Sequence, residues 1–229
     1  MRHSCQLYYI TDRKGFPGDE PSRQRQLLLK IAEATAAGVN YIQLREKDLP
    51  ARDIERLASQ AVKVVQQAQL EPRNPKLETK LLINSRTDIA LAVAADGLHL
   101  RSDDISPAEV RAIQSAASRN SKQETRNLIV GVSCHSMEEV RRTAQDGASF
   151  AVLAPIFGKQ IDGEDAPQLH AAGLETLKSA CQVELPVFAL GGVTLENARA
   201  CLNAGAAGIA AIRLFQENDI QEIIRQLSS

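Results

Sequence analysis

Tyr41-Ile42-Gln43-Leu44-Arg45-Glu46-Lys47 reads as a β-strand holding more charge than a strand usually carries. In an extended chain alternate side chains share a face, so Gln43, Arg45 and Lys47 point one way and Ile42, Leu44 and Glu46 the other. Two readings are open. On a solvated edge strand the charged row faces water and needs no partner. In a central strand of a parallel sheet the row is buried or half-buried, and buried charges need partners, an anionic ligand being one.

The flanking chain supplies the context. Residues 6–11 form an apolar strand running into Thr11-Asp12-Arg13. Residues 24–37 carry apolar side chains at helical spacing and stop at Gly38. Beyond the opening stretch, residues 51–67 are helical, 80–84 a strand, 87–94 a short helix and 97–100 a strand. Pro107 opens a helix at a favoured first-turn position. Strands follow at 127–132, 149–154, 186–190 and 208–212. They alternate with a helix begun by the capping box of Ser136 and Glu139 and with helices at 169–181, 195–204 and 220–227. Polar loops are expected at 71–78, 116–123 and 158–168. Eight short apolar strands alternating with helices predict an α/β fold, a (β/α)8 TIM barrel forming a single domain over residues 1–229. An open doubly wound sheet is the alternative, but the Gly-x-Gly-x-x-Gly turn that it usually carries after strand one is missing.

Composition narrows the function classes. With 27 basic and 28 acidic residues among 229 the net charge is −1, so no cationic excess is available for nucleic acid. No apolar run reaches the length of a membrane span, and residues 1–15 lack the apolar core of a signal peptide, so a cytoplasmic protein is expected. Cys5, Cys134, Cys181 and Cys201 are scattered without a Cys-x-x-Cys pair, which reads as reduced thiols. The expected partner is a small molecule, with a homodimer as the expected assembly.

In a barrel of this kind chemistry sits at the carboxyl ends of the strands. Those ends carry Gln43, Arg45 and Lys47; Asn84 and Ser85; His99 with Asp103 and Asp104; Ser133, Cys134 and His135; Lys159; Gly191 and Gly192; and Arg213. Gly191-Gly192 lies after strand seven and before a helix, where backbone N–H groups can approach a phosphate. Arg213 adds a charge-assisted contact just past strand eight. His135 suits proton transfer near neutrality, the bland alternative being a helix-entry histidine that caps or packs. Cys134 reads as a small buried thiol rather than a nucleophile, and His99 as a satisfied interior residue rather than a ligand. Asp103 and Asp104 are either a Mg²⁺ site or a solvated helix entry.

Several spaced motifs then carry a resemblance. Gln43-Leu-Arg45-Glu-Lys47, Ile83-Asn84, Ala95-Asp96-Gly97-Leu98-His99-Leu100, Gly131-Val-Ser133-Cys-His135-Ser136, Pro155-Ile156 and Gly191-Gly192-Val193 occur in order across most of the chain. Together they resemble the thiamin phosphate synthase and thiazole tautomerase family, a (β/α)8-barrel group in thiamin biosynthesis. For the synthase, the resemblance implies a pyrimidine diphosphate joined to a thiazole phosphate with loss of pyrophosphate, assisted by Mg²⁺. It then implies that Gln43, Arg45, Lys47, Asn84 and Ser133 meet the pyrimidine and diphosphate, that Asp104 is a metal ligand, and that Gly192 and Ile212 give backbone contacts to phosphate.

Three positions depart from that pattern. The family synthase carries Asp where this chain has Ser85. It carries a Thr-x-Thr-Lys loop where Gly158-Lys159-Gln160-Ile161-Asp162 stands, leaving Lys159 as the one replacement charge for the substrate. It carries Ser where Arg213 stands. The tautomerase departs less, needs no metal pair, and resembles the chain in Asn84-Ser85-Arg86-Thr87-Asp88 and Ser133-Cys134-His135-Ser136. The expectation therefore leans to a tautomerase-like proton transfer. His135 shuttles the proton, Arg45 and Lys47 pair with anions, and Gly191, Gly192 and Arg213 anchor the phosphate, with no cofactor required. The alternatives are the Mg²⁺-dependent synthase and a non-catalytic binder of thiazole phosphate.

Overall fold

The computed structural model describes residues 5–70, 78–119, 127–158 and 171–228. The loops expected at 71–78, 116–123 and 158–168 fall largely or partly outside them, and Lys159 does so entirely. The strands are β1 (Gln6–Ile10), β2 (Tyr41–Leu44), β3 (Lys80–Asn84), β4 (Gly97–Leu100), β5 (Ile129–Cys134), β6 (Phe150–Leu153), β7 (Val187–Ala189) and β8 (Gly208–Ala211). They pair in sequence order, all parallel, and β8 returns to β1 to close the barrel. The helices are α1 (Glu20–Ala37), α2 (Ala51–Gln69), α3 (Thr87–Ala92), α4 (Pro107–Arg119), α5 (Met137–Gln145), α6 (Gly173–Ala180), α7 (Leu195–Asn203), α8 (Arg213–Gln216) and α9 (Ile220–Ser228). Closure removes sheet edges, so the edge-strand reading of residues 41–47 falls.

Two apolar cores follow from the alternation of strand side chains. The outward set (Leu7, Ile42, Leu44, Leu81, Ile83, Leu98, Val130, Val132 and others) packs under the helices with Leu27, Ile31, Leu57 and Ala61. The inward set is Tyr8, Ile10, Leu82, Phe150, Val152, Phe188 and Ala210, joined by Tyr41, Ile129, Leu190 and Ile212. Tyr8, Tyr41, Phe150 and Phe188 meet with ring centroids between 5.1 and 5.8 Å apart, mostly edge to face. Gly131 leaves room for them, because a Cβ there would run into the Phe150 ring and lie 2.9 Å from His99 Nδ1. This aromatic plug fills the barrel. Gln43, Asn84, His99 and Ser133 share its inward face and stand nearer the carboxyl ends.

The helix signals act as expected at two ends. Gly38 closes α1 with φ 90°, and the Ser136 hydroxyl accepts from Glu139 N–H at the start of α5. Other boundaries differ. α1 begins earlier, with Asp19 capping Ser22 N–H. α4 runs through Arg119 into the expected loop, and β5 extends to Cys134.

Candidate active site

Five interior polar groups form one hydrogen-bonded network at the mouth. Gln43 Nε2 donates to Asn84 Oδ1 at 2.8 Å, and the Tyr8 hydroxyl lies 3.3 Å from Gln43 Oε1 and 3.0 Å from His99 Nδ1. His99 Nε2 is 2.9 Å from Ser133 Oγ. Both ring nitrogens of this histidine are therefore partnered, as an interior residue requires. Its pKa is pushed down to about 3, by burial first and then by the charge of Arg45. Burial thus favours its uncharged form, a hydrogen-bonding post between Tyr8 and Ser133.

Arg45 and Lys47 rise from the end of β2. The strand stops at Leu44 because Thr11 takes over its ladder: Thr11 N–H donates to Gln43 O at 3.0 Å and Arg45 N–H donates to Thr11 Oγ1 at 3.0 Å. Between the two cations Glu46 points to the opposite face of the strand and is buried. It accepts from Thr11 Oγ1 at 2.7 Å, from Arg13 N–H at 3.1 Å and from Arg13 Nη1 at 3.1 Å. Arg13 is equally buried and also binds Asp48 through both terminal guanidinium nitrogens (2.7 and 2.8 Å) and Glu20 through Nε at 2.7 Å. Its hydrogen bonds hold the Asp48 carboxyl well below the usual range. The loops after β1 and β2 are thus clamped by one desolvated arginine, and Arg45 and Lys47 are carried on that clamp. Among the described residues neither has an ion-pair partner. Burial lowers the Lys47 pKa, helped by the charges of Arg45 and Arg101. Arg101, exposed just past β4, therefore belongs to the same cationic wall.

The Mg²⁺ that the resemblance implies meets a poor donor set. Asp104 Oδ2 already accepts from Ser85 Oγ at 2.6 Å and from Arg101 N–H at 2.8 Å, and Arg101 Nε lies 3.5 Å from Asp104 Oδ1. Asp103 pairs with Arg101 Nη2 at 3.1 Å. A hard cation takes carboxylate oxygens and water, whereas Ser85 offers a hydroxyl that donates into the carboxylate. Among the described residues no cluster of three His, Cys, Asp or Glu side chains can hold a metal. The Asp104 oxygens are held by Ser85 and Arg101, and this donor set does not fit a resident Mg²⁺.

The opposite wall is built from the turns after β6, β7 and β8. Phe157 N–H donates to Gly191 O at 3.0 Å and Ile156 N–H to Leu190 O at 2.9 Å, fastening two of the turns together. Gly191 and Gly192 have φ of 95° and 66°, and a Cβ on either would sit within 2.7–2.8 Å of Pro155 or Phe157. Only glycine fits this close approach in the left-handed region. His135 reaches the same place from β5. Its Nδ1 is 2.7 Å from Ala154 O, which can only accept, so Nδ1 carries the proton and Nε2 is left as the basic nitrogen. Ile212 precedes α8, and exposed Arg213 begins it. A cation at a helix amino end opposes the helix dipole unless an anion lies between them.

The mouth therefore gathers Gln43, Asn84 and Ser133 in one network, Arg45, Lys47 and Arg101 on one rim, and on the other His135 against Ala154, in the turn that packs on Gly191. Cys134 is buried, its sulfur 3.4 Å from Thr143 Oγ1, with burial raising its pKa to about 11; it does not act as a thiolate. Sequence reasoning missed Tyr8, Arg13, Glu46 and Arg101. For Glu46 the signal was present: strand parity put it on the apolar face, where a carboxylate demands a cation. Arg101 follows β4 directly, a position as informative as that of Arg45.

Comparison with known proteins agrees with the motifs. The sequence pattern of the family described as "Thiamine monophosphate synthase" matches residues 7–215. A "Thiamine-phosphate synthase" of Syntrophomonas wolfei is 35% identical over 96% of this chain and 93% of its own. One of Roseiflexus castenholzii is 34% identical over 90% of this chain and 78% of its own. The solved structure of a thiamine phosphate pyrophosphorylase from Pyrococcus furiosus superposes with TM-score 0.74 at 25% identity, covering 100% of this chain and 99% of that one. A closed eight-stranded barrel, a polar network and a glycine turn at its mouth, and these relatives lead to one conclusion: the chain belongs to the thiamine monophosphate synthase family of thiamin-biosynthesis enzymes.

Proposed function

We propose that the chain is a thiamine-phosphate synthase, joining a pyrimidine methyl diphosphate to a thiazole phosphate. The thiazole nitrogen lone pair forms the new C–N bond to the methylene carbon. The C–O bond to the diphosphate breaks, and pyrophosphate leaves with that electron pair. The observation that carries the reading is the segregation of anion-binding features to two walls of one mouth, in a chain whose relatives bear the synthase name. Arg45, Lys47 and Arg101 neutralise charge growing on the leaving diphosphate. Gln43, Asn84 and Ser133 orient the pyrimidine ring, with the neutral Tyr8–His99 pair fixing Ser133. Gly191, Gly192, Ile212 and Arg213 hold the thiazole phosphate across the gap.

The tautomerase expectation has weaker support from the relatives, yet one observation keeps it as a second reading: His135 is held through Nδ1 on Ala154 O, at the start of the turn that packs against Gly191 and Gly192. One experiment separates the two. Purified protein is given each substrate alone and both together, and pyrophosphate release and the ultraviolet spectrum of a thiazole carboxylate phosphate are followed. Pyrophosphate released only with both substrates supports the synthase. A spectral change with the thiazole carboxylate alone, slowed ~10²-fold or more in His135→Ala, replaces it with the tautomerase. Neither signal, with binding of thiazole phosphate intact, identifies a non-catalytic binder.

A further inference from the structure

We infer that the cationic wall binds a diphosphate group without a resident divalent cation, Arg101 supplying the positive charge where the family pattern implies a metal. Three features on separate strands argue for it. At the end of β3, Ser85 takes the place of a carboxylate. Its φ of 56° is rare for a side-chain-bearing residue, and it is held by Ser85 N–H donating to His99 O at 2.9 Å and Ser85 Oγ donating to Asp104 Oδ2 at 2.6 Å. The hydroxyl is committed to Oδ2 of the neighbouring carboxylate, leaving Oδ1 facing the Arg101 guanidinium.

After β4, the Arg101 guanidinium lies against both Asp103 and Asp104, at 3.1 and 3.5 Å. A divalent ion bound to Asp104 would sit almost in contact with this fixed positive charge, a repulsion that water near the surface reduces without cancelling. The guanidinium is half-exposed and so can turn one edge to the mouth while its other edge stays on the carboxylates. After β2, Arg45 and Lys47 have no ion-pair partner among the described residues, and Lys47 lies close enough to Arg45 and Arg101 to sense the charge of both. Three cations against the two carboxylates of Asp103 and Asp104 leave a net positive basin for a polyanion. A planar guanidinium meets two phosphate oxygens at once, giving directed charge-assisted bonds as well as charge.

The identity of the anion rests on the synthase reading; the metal independence rests on the donor set. The test is calorimetric titration of inorganic pyrophosphate into the full chain, first in EDTA and then in Mg²⁺, beside the coupling assay under the same two conditions. Binding in EDTA that Mg²⁺ does not strengthen is expected. Arg101→Ala should weaken it about tenfold or more, with Arg101→Lys recovering part of the loss. Pyrophosphate binding that appears only with Mg²⁺, or that ignores Arg101→Ala, overturns the inference. Coupling that proceeds only with Mg²⁺ also overturns it while leaving the synthase reading intact. Metal-free pyrophosphate binding without coupling does the reverse.

Discussion

Replacing Arg13 with Met removes the one cation shared by Glu46, Asp48 and Glu20 while keeping most of its volume. Glu46 is then a buried carboxylate left with Thr11 and a backbone N–H, and breaking a desolvated pair in this way costs about 3–5 kcal/mol. Urea denaturation should show a lowered midpoint with an unchanged slope. An unaltered midpoint would mean that the clamp under Arg45 and Lys47 is not the desolvated pair described. His99 gives a second residue-scale prediction. Its native pKa of about 3 lies far below the 6.5 of a free histidine. Its contribution is therefore fully present above pH ~6.5 and is lost as pH falls toward 3, because the unfolded chain takes up a proton that the native chain refuses. Stability should fall by up to about 1.4 kcal/mol per pH unit through this window, and His99→Asn should remove that share of the slope. Denaturation curves collected from neutral to mildly acidic pH check it; equal slopes in both proteins would contradict it.

At the scale of elements, the glycine turn after β7 makes the firmest prediction. Gly192→Ala places a Cβ 2.8 Å from Phe157 Cβ and 2.9 Å from its carbonyl oxygen, at a φ of 66°. A loss of about 1–3 kcal/mol is expected, together with weakened binding of thiazole phosphate, both read from ligand-dependent thermal shifts. Retained affinity would take the phosphate away from this turn. Strand and helix order was legible because hydrophobic periodicity reports it directly, and the ends of β3 and β4 were placed to the residue. Other boundaries were not, because tertiary partners set them. Thr11 ends β2 three residues before the charged row does, and β5 runs on to Cys134 because β6 pairs with it there. The four-residue α8 is too short to show a period, so Arg213 was read as following a strand rather than as opening a helix.

For the whole molecule, eight alternations left little choice of architecture, and the rule that barrel chemistry lies at carboxyl strand ends was enough to assemble the mouth from sequence. Assignment of the reaction was harder. Ser85 and Arg213 read in isolation as losses from the synthase pattern, which moved the expectation toward the tautomerase. In the fold Ser85 is one half of a pair with Asp104, braced by Arg101, and that compensation is invisible along the chain because the partners are 19 and 16 residues away. On the proposed function, one mouth has two separate anion walls. Calorimetry of inorganic pyrophosphate and of thiazole phosphate, each titrated alone and again with the other at saturation, tests this most directly. Both ligands should bind at once, Arg45→Ala weakening pyrophosphate alone and Gly192→Ala thiazole phosphate alone. Mutual exclusion of the two ligands, or a common loss in both variants, would contradict the two-walled site.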